Sequence, residues 1–189
     1  EISNSFETGL NFSLFSNRIT ADVNYYYNTT VNQVLRVPVD ITTGYSYSYI
    51  NGGKIKNEGI EVMLTAKPFR GNFKWTPTLT WSKNYNVILE LSKYLDLAQQ
   101  TLMSSGSASI IAVKGGTTGD IWGAGLVRND EGQIIFNANT GHALRSPVKY
   151  IGNAYPSWRG GFQNEFNYKN LTLNVLVDGQ FGGIIYSQT

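Results

Sequence analysis

Apolar and polar side chains alternate with a period of two along several stretches of this chain, as strands with one apolar face require. Phe6, Thr8, Leu10, Phe12 and Leu14 fall on one face, and Glu7, Gly9, Asn11 and Ser13 on the other. Ser16-Asn17-Arg18 reads as a tight turn. Ile19, Ala21, Val23, Tyr25 and Tyr27 then alternate with Thr20, Asp22 and Asn24, which predicts a hairpin. The pattern resumes with Ile60, Val62, Leu64 and Ala66 against Glu61, Met63 and Thr65. A polar turn over Lys67–Asn72, built around Pro68 and Gly71, leads to Phe73, Trp75, Leu79 and Trp81 against Lys74, Thr76, Thr78, Thr80 and Ser82. A last pair sets Phe162, Phe166 and Tyr168 against Gln163, Glu165 and Asn167. After a tight turn at Lys169-Asn170 it continues with Leu171, Leu173, Val175 and Val177 against Thr172, Asn174, Asp178 and Gln180. Between these pairs the alternation stops. Residues from about 28 to 54 and from about 84 to 157 read as long loops, rich in turn and breaker residues. The second carries one short helix candidate, Val87–Leu102, whose leucines are only roughly periodic.

The connections therefore run short, long, short, long, short. In an up-and-down meander this places every short turn at one end and every long loop at the other, the polarity of outer-membrane barrels. Loops of this length count against a compact soluble domain. The charges agree: Glu7, Asp22, Glu61, Lys74, Glu165 and Asp178 all lie on the polar face of their strand. A charge on a lipid-facing position at mid-depth costs ~2–4 kcal/mol for Arg or Lys. A soluble sandwich gives the same alternation with the apolar face inward, and would seal Leu10, Val23, Leu64 and Val175 in one core. Tyr25, Tyr27, Trp75, Trp81 and Tyr168 fall near strand ends, where interfacial aromatics sit. Two residues break the pattern. Pro77 lies inside a strand and marks a bulge on this reading. Asn164 shares the apolar parity of Phe162 and Phe166.

Composition sharpens this picture. Of 189 residues only 15% are charged, against ~25% in ordinary soluble domains. Aromatics reach 13%, with 12 Tyr, 9 Phe and 4 Trp, alongside 20 Gly. No apolar run approaches the ~20 residues of a membrane helix, so any crossing is made by strands. The net charge of +2 and the absence of a basic block speak against nucleic acid. No Cys is present, which excludes disulfides and cysteine metal sites.

Catalytic and cofactor patterns are missing. His142 is the single histidine and has no recognisable partners for a triad or a two-His metal site. Gly115-Gly116-Thr117-Thr118-Gly119-Asp120 lacks the Lys-Ser/Thr ending of a phosphate loop and reads as a turn. Asp130-Glu131-Gly132 lacks spaced oxygen ligands and reads as a hairpin turn between Leu126-Val127 and Ile134-Ile135-Phe136. Glu7 and Asp22 could face each other across the first hairpin, as solvated lumen carboxylates rather than an acid/base pair. The loop aromatics Tyr45, Tyr47, Tyr49, Trp122, Tyr150 and Tyr155 are candidate contacts for substrate or partner, by stacking on sugars or meeting peptides. Loop-on-loop packing is the equal alternative for them.

The chain resembles the barrel region of SusC/RagA-type TonB-dependent transporters of Gram-negative outer membranes. The resemblance lies in Glu7-Thr8-Gly9-Leu10-Asn11-Phe12, Phe15-Ser16-Asn17-Arg18-Ile19-Thr20 and Val23-Asn24-Tyr25-Tyr26-Tyr27-Asn28. It continues in Asn51-Gly52-Gly53-Lys54-Ile55-Lys56-Asn57-Glu58-Gly59-Ile60-Glu61, Phe73-Lys74-Trp75 and Gly119-Asp120-Ile121-Trp122-Gly123. Gly115-Gly116 before that last piece, Tyr150-Ile151-Gly152-Asn153-Ala154-Tyr155-Pro156-Ser157-Trp158 followed by Gly161-Phe162, Phe166-Asn167-Tyr168-Lys169-Asn170-Leu171, and Gly182-Gly183 complete it. The shared order and spacing of these pieces carries the match. It implies a barrel of about 22 strands with a plug inside, a SusD-like surface lipoprotein as a lid, TonB as the source of energy, and glycan or peptide as cargo.

The expectation is thus an all-β, antiparallel, up-and-down transmembrane β-barrel, present here as about six strands of a larger barrel with long extracellular loops. Residues 1–189 would form part of one barrel domain in the cell outer membrane, in contact with its lipid. The plug, and with it the TonB contact, would lie in parts of the polypeptide not seen in this sequence. No cofactor, metal or enzymatic step is expected. The alternative is a secreted all-β glycan-binding module.

Overall fold

The computed structural model describes residues 1–38, 44, 47–69, 71–92 and 98–187. Among the described residues, ten strands make two antiparallel sheets. They are β1 (Ile2–Leu14), β2 (Ile19–Pro38), β3 (Tyr47–Ala66), β4 (Phe73–Glu90), β5 (Gln99–Ser105), β6 (Ala108–Val113), β7 (Asp120–Gly123), β8 (Lys149–Asn153), β9 (Trp158–Tyr168) and β10 (Leu171–Phe181). The larger sheet has the order β1-β2-β3-β4-β9-β10, the six-stranded meander expected from the alternation. A smaller sheet, β5-β6-β7-β8, is formed by the excursion between β4 and β9.

The short turns lie where the sequence places them. Phe15, Ser16 and Asn17 all take positive φ between β1 and β2, and the Arg18 amide donates to the Leu14 carbonyl at 3.0 Å. The β9–β10 turn needs only Lys169, at φ 51°, and Asn170. The Lys67 amide bonds the Arg18 carbonyl at 2.7 Å, so two neighbouring turns are tied side by side.

Register keeps each face intact across the sheet. Phe12, Ala21, Leu64, Leu79, Phe162 and Val177 align as one row on the apolar face. Asn11, Asp22, Met63, Thr80, Gly161 and Asp178 align as the adjacent row on the other face. The apolar face is not folded into a core: Leu10 is 62% exposed, Leu64 40% and Val175 41%. Two bands of aromatics bound it. At the short-turn end Phe69, Phe73, Trp75 and Phe166 stack, with Trp75 and Phe166 parallel within 2° at 6.1 Å. At the other end Trp158 stacks on Phe181 at 4.3 Å. Eight to ten residues of β9 separate Trp158 from Phe166 and Tyr168. At ~3.4 Å per residue and a tilt of ~40° this gives roughly 21–26 Å, the height of the apolar band of an outer-membrane barrel.

Three expectations need correction. The intervals read as long loops contain much strand: β2 continues to Pro38, β3 begins at Tyr47 and β4 continues to Glu90. These strands have 18–20 residues, about twice the 9–11 that cross a bilayer, so they project beyond it. Val87–Leu102 is not a helix in its described parts, which are the end of β4 and the start of β5; residues 93–97 lie outside the described residues. Pro77 marks no bulge. It pairs in register with Asn164, and β3–β4 pairing begins only at Thr65↔Thr78, so Pro77 stands one position beyond the end of that ladder. Asn164 also finds its reason: its Oδ1 accepts the Trp75 Nε1–H at 3.0 Å, within the aromatic band.

Candidate functional site

The polar face of the wall forms a groove of about 830 Å³. Asp22, Asn24, Glu61, Thr80, Arg159 and Asp178 supply its polar lining. Each arrives there by strand parity, two residues apart along a strand and directly opposite across the ladders. Asp22 accepts from Asn11 Nδ2 at 3.1 Å and from Asn24 Nδ2 at 2.8 Å, so its carboxylate is held by amides. Glu7 and Asp22 do not face each other: Glu7 pairs with Tyr26, and Asp22 with Asn11. Four residues along the hairpin separate them by about 14 Å, beyond the separations of about 5–9.5 Å that glycosidic chemistry uses. The arrangement can hydrogen-bond a polar molecule lying in the groove, and Glu7 and Asp22 do not form a carboxylate pair of that kind.

Higher on the same face the wall closes against the small sheet. Tyr26 crosses over Gly59, where any Cβ would clash with its ring, and its hydroxyl donates to Asn84 Oδ1 at 2.9 Å. Asn86 donates to Asn57 Oδ1 at 2.8 Å and accepts from the Thr118 amide at 2.8 Å and the Thr118 hydroxyl at 3.0 Å. The Ile88 amide donates to the Gly116 carbonyl, and the Gly115 amide to the Ile88 carbonyl, both at 2.8 Å. Ile88, 2% exposed, packs with Leu91, Ala112 and Ile55 in a small core. Sequence reasoning missed this junction. Its one local signal is Thr117-Thr118-Gly119-Asp120, a hydroxyl and a carboxylate at turn spacing. Asp120 is 6% exposed and accepts from the Thr117 amide (2.9 Å), the Thr117 hydroxyl (2.7 Å) and Asn153 Nδ2 (2.9 Å). Gly115 takes φ 84°, as the turn reading of this segment requires. The Asp130-Glu131-Gly132 hairpin also forms, with Asn129 and Gln133 bonded across it and Ile135 bonded to Val127. Farther out, hydrogen bonds from Ser107 to the Tyr186 phenol lower its pKa from the usual tyrosine value.

The six candidate aromatics separate. Trp122 in β7 and Tyr150 in β8 meet edge-on at 5.8 Å and 72°. The Trp122 Nε1–H is buried without a partner among the described residues. Tyr155 lies elsewhere, over Gly119, with its hydroxyl 2.9 Å from that of Thr118. With Tyr26, Asn84 and Arg159 it lines a recess of about 200 Å³ at the upper edge of the polar face. Tyr49 is exposed in β3, opposite Arg36. Tyr47 begins β3, but its side chain lies outside the described residues, as does the whole of Tyr45.

Known proteins share this architecture. The chain is 22% identical to, and superposes with a TM-score of 0.72 on, a chain of the RagAB peptide transporter, covering 93% of this chain and 20% of that one. The RagAB peptide importer in a "closed-closed" state gives a TM-score of 0.73 at 21% identity, over 94% of this chain and 21% of that one. TonB-dependent receptor P26 of Formosa agariphila is 28% identical over 213 residues, spanning 99% of this chain and 21% of the relative. TonB-dependent receptor SusC of Bacteroides thetaiotaomicron is 23% identical over 202 residues, spanning 98% and 20%. The chain thus spans about a fifth of the length of these relatives. The family model for the TonB dependent receptor-like β-barrel matches residues 1–187, and the chain belongs to that family.

Proposed function

We propose that residues 1–189 form part of the wall and the extracellular superstructure of an outer-membrane importer for nutrients. The observation that carries this reading is the sheet itself: an exposed apolar face bounded by aromatics at both ends, backed by a polar groove. Hydrocarbon on one side and water on the other favours both faces at once. Membership of the TonB-dependent receptor family supports energised import, with TonB acting through a plug elsewhere in the polypeptide. Likeness to SusC and to the RagAB structures supports a SusD-like surface lipoprotein as the lid, and glycan or peptide as the cargo. Tyr155 at the groove's upper edge, the Trp122–Tyr150 pair, and Tyr45, Tyr47 and Tyr49 are the proposed contacts for cargo or lid. No catalytic step is assigned to the chain.

The test uses the full-length protein in its own cell envelope. It is expected to fractionate with the outer membrane, to migrate as a heat-modifiable band, and to take up a labelled oligosaccharide or peptide only while its TonB-contacting segment is intact. Recovery in the soluble fraction without a heat-dependent shift overturns the reading and favours the secreted binding module.

A further inference from the structure

We infer that the lipid-facing side of the wall carries a built site for the phosphate of an outer-leaflet lipid, centred on Lys83. The inference rests on the membrane orientation proposed above. Tyr25, Ile60 and Lys83 share one rung of the apolar face, and Tyr27, Glu58 and Tyr85 share the next rung up. Trp81 lies one rung below. Together Tyr25, Glu58, Ile60, Trp81, Lys83 and Tyr85 enclose a recess of about 290 Å³.

Three features make this recess more than a gap between side chains. Its depth is that of lipid headgroups, one rung above the Val62–Trp81 pair and two above the Leu64–Leu79 pair that would meet acyl chains. Its two charged residues are unequally engaged. Glu58 is already engaged, by Lys56 Nζ at 2.8 Å and by the Tyr25 hydroxyl at 3.4 Å. Lys83 has no carboxylate partner among the described residues, so the recess keeps one uncompensated cation. That cation is also held in place: Lys83 Nζ sits 4.7 Å from the centre of the Tyr85 ring. A lysine otherwise free to extend into water is thereby kept over the recess. An anionic headgroup would meet Lys83 from the membrane side, with its glycerol or sugar portion against Tyr25 and Trp81.

Native mass spectrometry of the full-length receptor in detergent tests the site. The probes are monophosphoryl lipid A, its dephosphorylated counterpart with the same acyl chains, and inorganic phosphate. The unaltered receptor is expected to prefer the phosphorylated lipid by about fivefold, the effect of one basic side chain at a membrane surface. Lys83→Gln is expected to abolish that preference, Lys83→Arg to keep it, and Tyr85→Leu to reduce it. Heat-modifiable migration of each variant is scored first, so loss of the barrel, which bears on the transporter reading, is told apart from loss of the site. Should Lys83→Gln not fold, the contrast of Lys83→Arg with Tyr85→Leu decides. Equal uptake of the two lipids by the unaltered receptor, or an undiminished preference in Lys83→Gln, overturns the inference. Displacement of the lipid by millimolar inorganic phosphate also overturns it, because the site would then serve a free anion.

Discussion

The lower and upper halves of the β3–β4 pair obey different rules. From Ile60 to Ala66 and from Phe73 to Trp81, the apolar side chains other than Met63 share the outward face, while Glu61, Thr80 and Ser82 line the groove. Above that level both faces become mixed. Lys56, Glu58 and Lys83 now stand on the outward parity, and Ile55 and Ile88 turn inward to form a core with the small sheet. The backbone is the same continuous ladder, broken only by an irregularity at Lys54/Ile55. What changes is the solvent. On the proposed membrane orientation, hydrocarbon lies outside the lower half and water inside it; the upper half has headgroups and water outside and protein inside. A strand has no preferred greasy face of its own, and takes the one its surroundings reward.

Charge substitution gives the largest test of this contrast. Leu64→Arg, mid-band on the apolar face, is expected to destabilise the full-length receptor in lipid vesicles by ~2–4 kcal/mol. Thr80→Arg, on the neighbouring row but facing the groove, is expected to change stability by less than ~1 kcal/mol. Guanidinium unfolding of both in the same vesicles makes the comparison, and equal losses would break the two-solvent account.

Ile88→Ala probes the upper half. Its core is small, so a cost of ~2 kcal/mol, the low end for such truncations, is expected. The loss should be local: faster amide exchange and protease cleavage within 99–153, with exchange in β9 and β10 unchanged. Loosening of the whole wall would show that the two halves form one cooperative unit.

Trp75→Phe makes the smallest change. It keeps the stack on Phe166 and removes only the Nε1–H bond to Asn164, at an expected ~0.5–1.5 kcal/mol. Asn164→Leu in the same background should recover part of that loss, because the orphaned amide is then replaced by an apolar group on a lipid-facing position. Urea midpoints of the single and double variants decide it.

The same change explains what could be read from the sequence. The six wall strands were legible because lipid on one side and water on the other impose strict alternation, and two- to six-residue turns punctuate them. Legibility ends where the faces become mixed. Ile55 and Ile60 are five apart and thus of opposite parity, so the pattern breaks although the strand does not. The leucines after Val87 suggested a helix because Leu89, Leu91 and Leu102 belong to different environments, the end of β4, the small core and β5, which no single period describes. The small sheet was invisible for another reason. β7 and β8 have four and five residues, too few for a period to register, and hydrogen bonds around Asp120 and Asn86 hold the sheet together with the small core around Ile88 and Ala112. Of the candidate site, the spacing from Thr117 to Asp120 could have revealed the junction; Lys83 and Gly59 could not, because their meaning depends on which side of the sheet they face.

The excursion between β4 and β9 begins and ends on adjacent, hydrogen-bonded strands. It therefore leaves and rejoins the wall at one doorway, and no rung below Ser82↔Arg159 needs its contents. Lengthening, shortening or exchanging residues 91–157 would leave every membrane-level pairing untouched. The excursion is in that sense a replaceable cassette on a ladder that stays fixed beneath it.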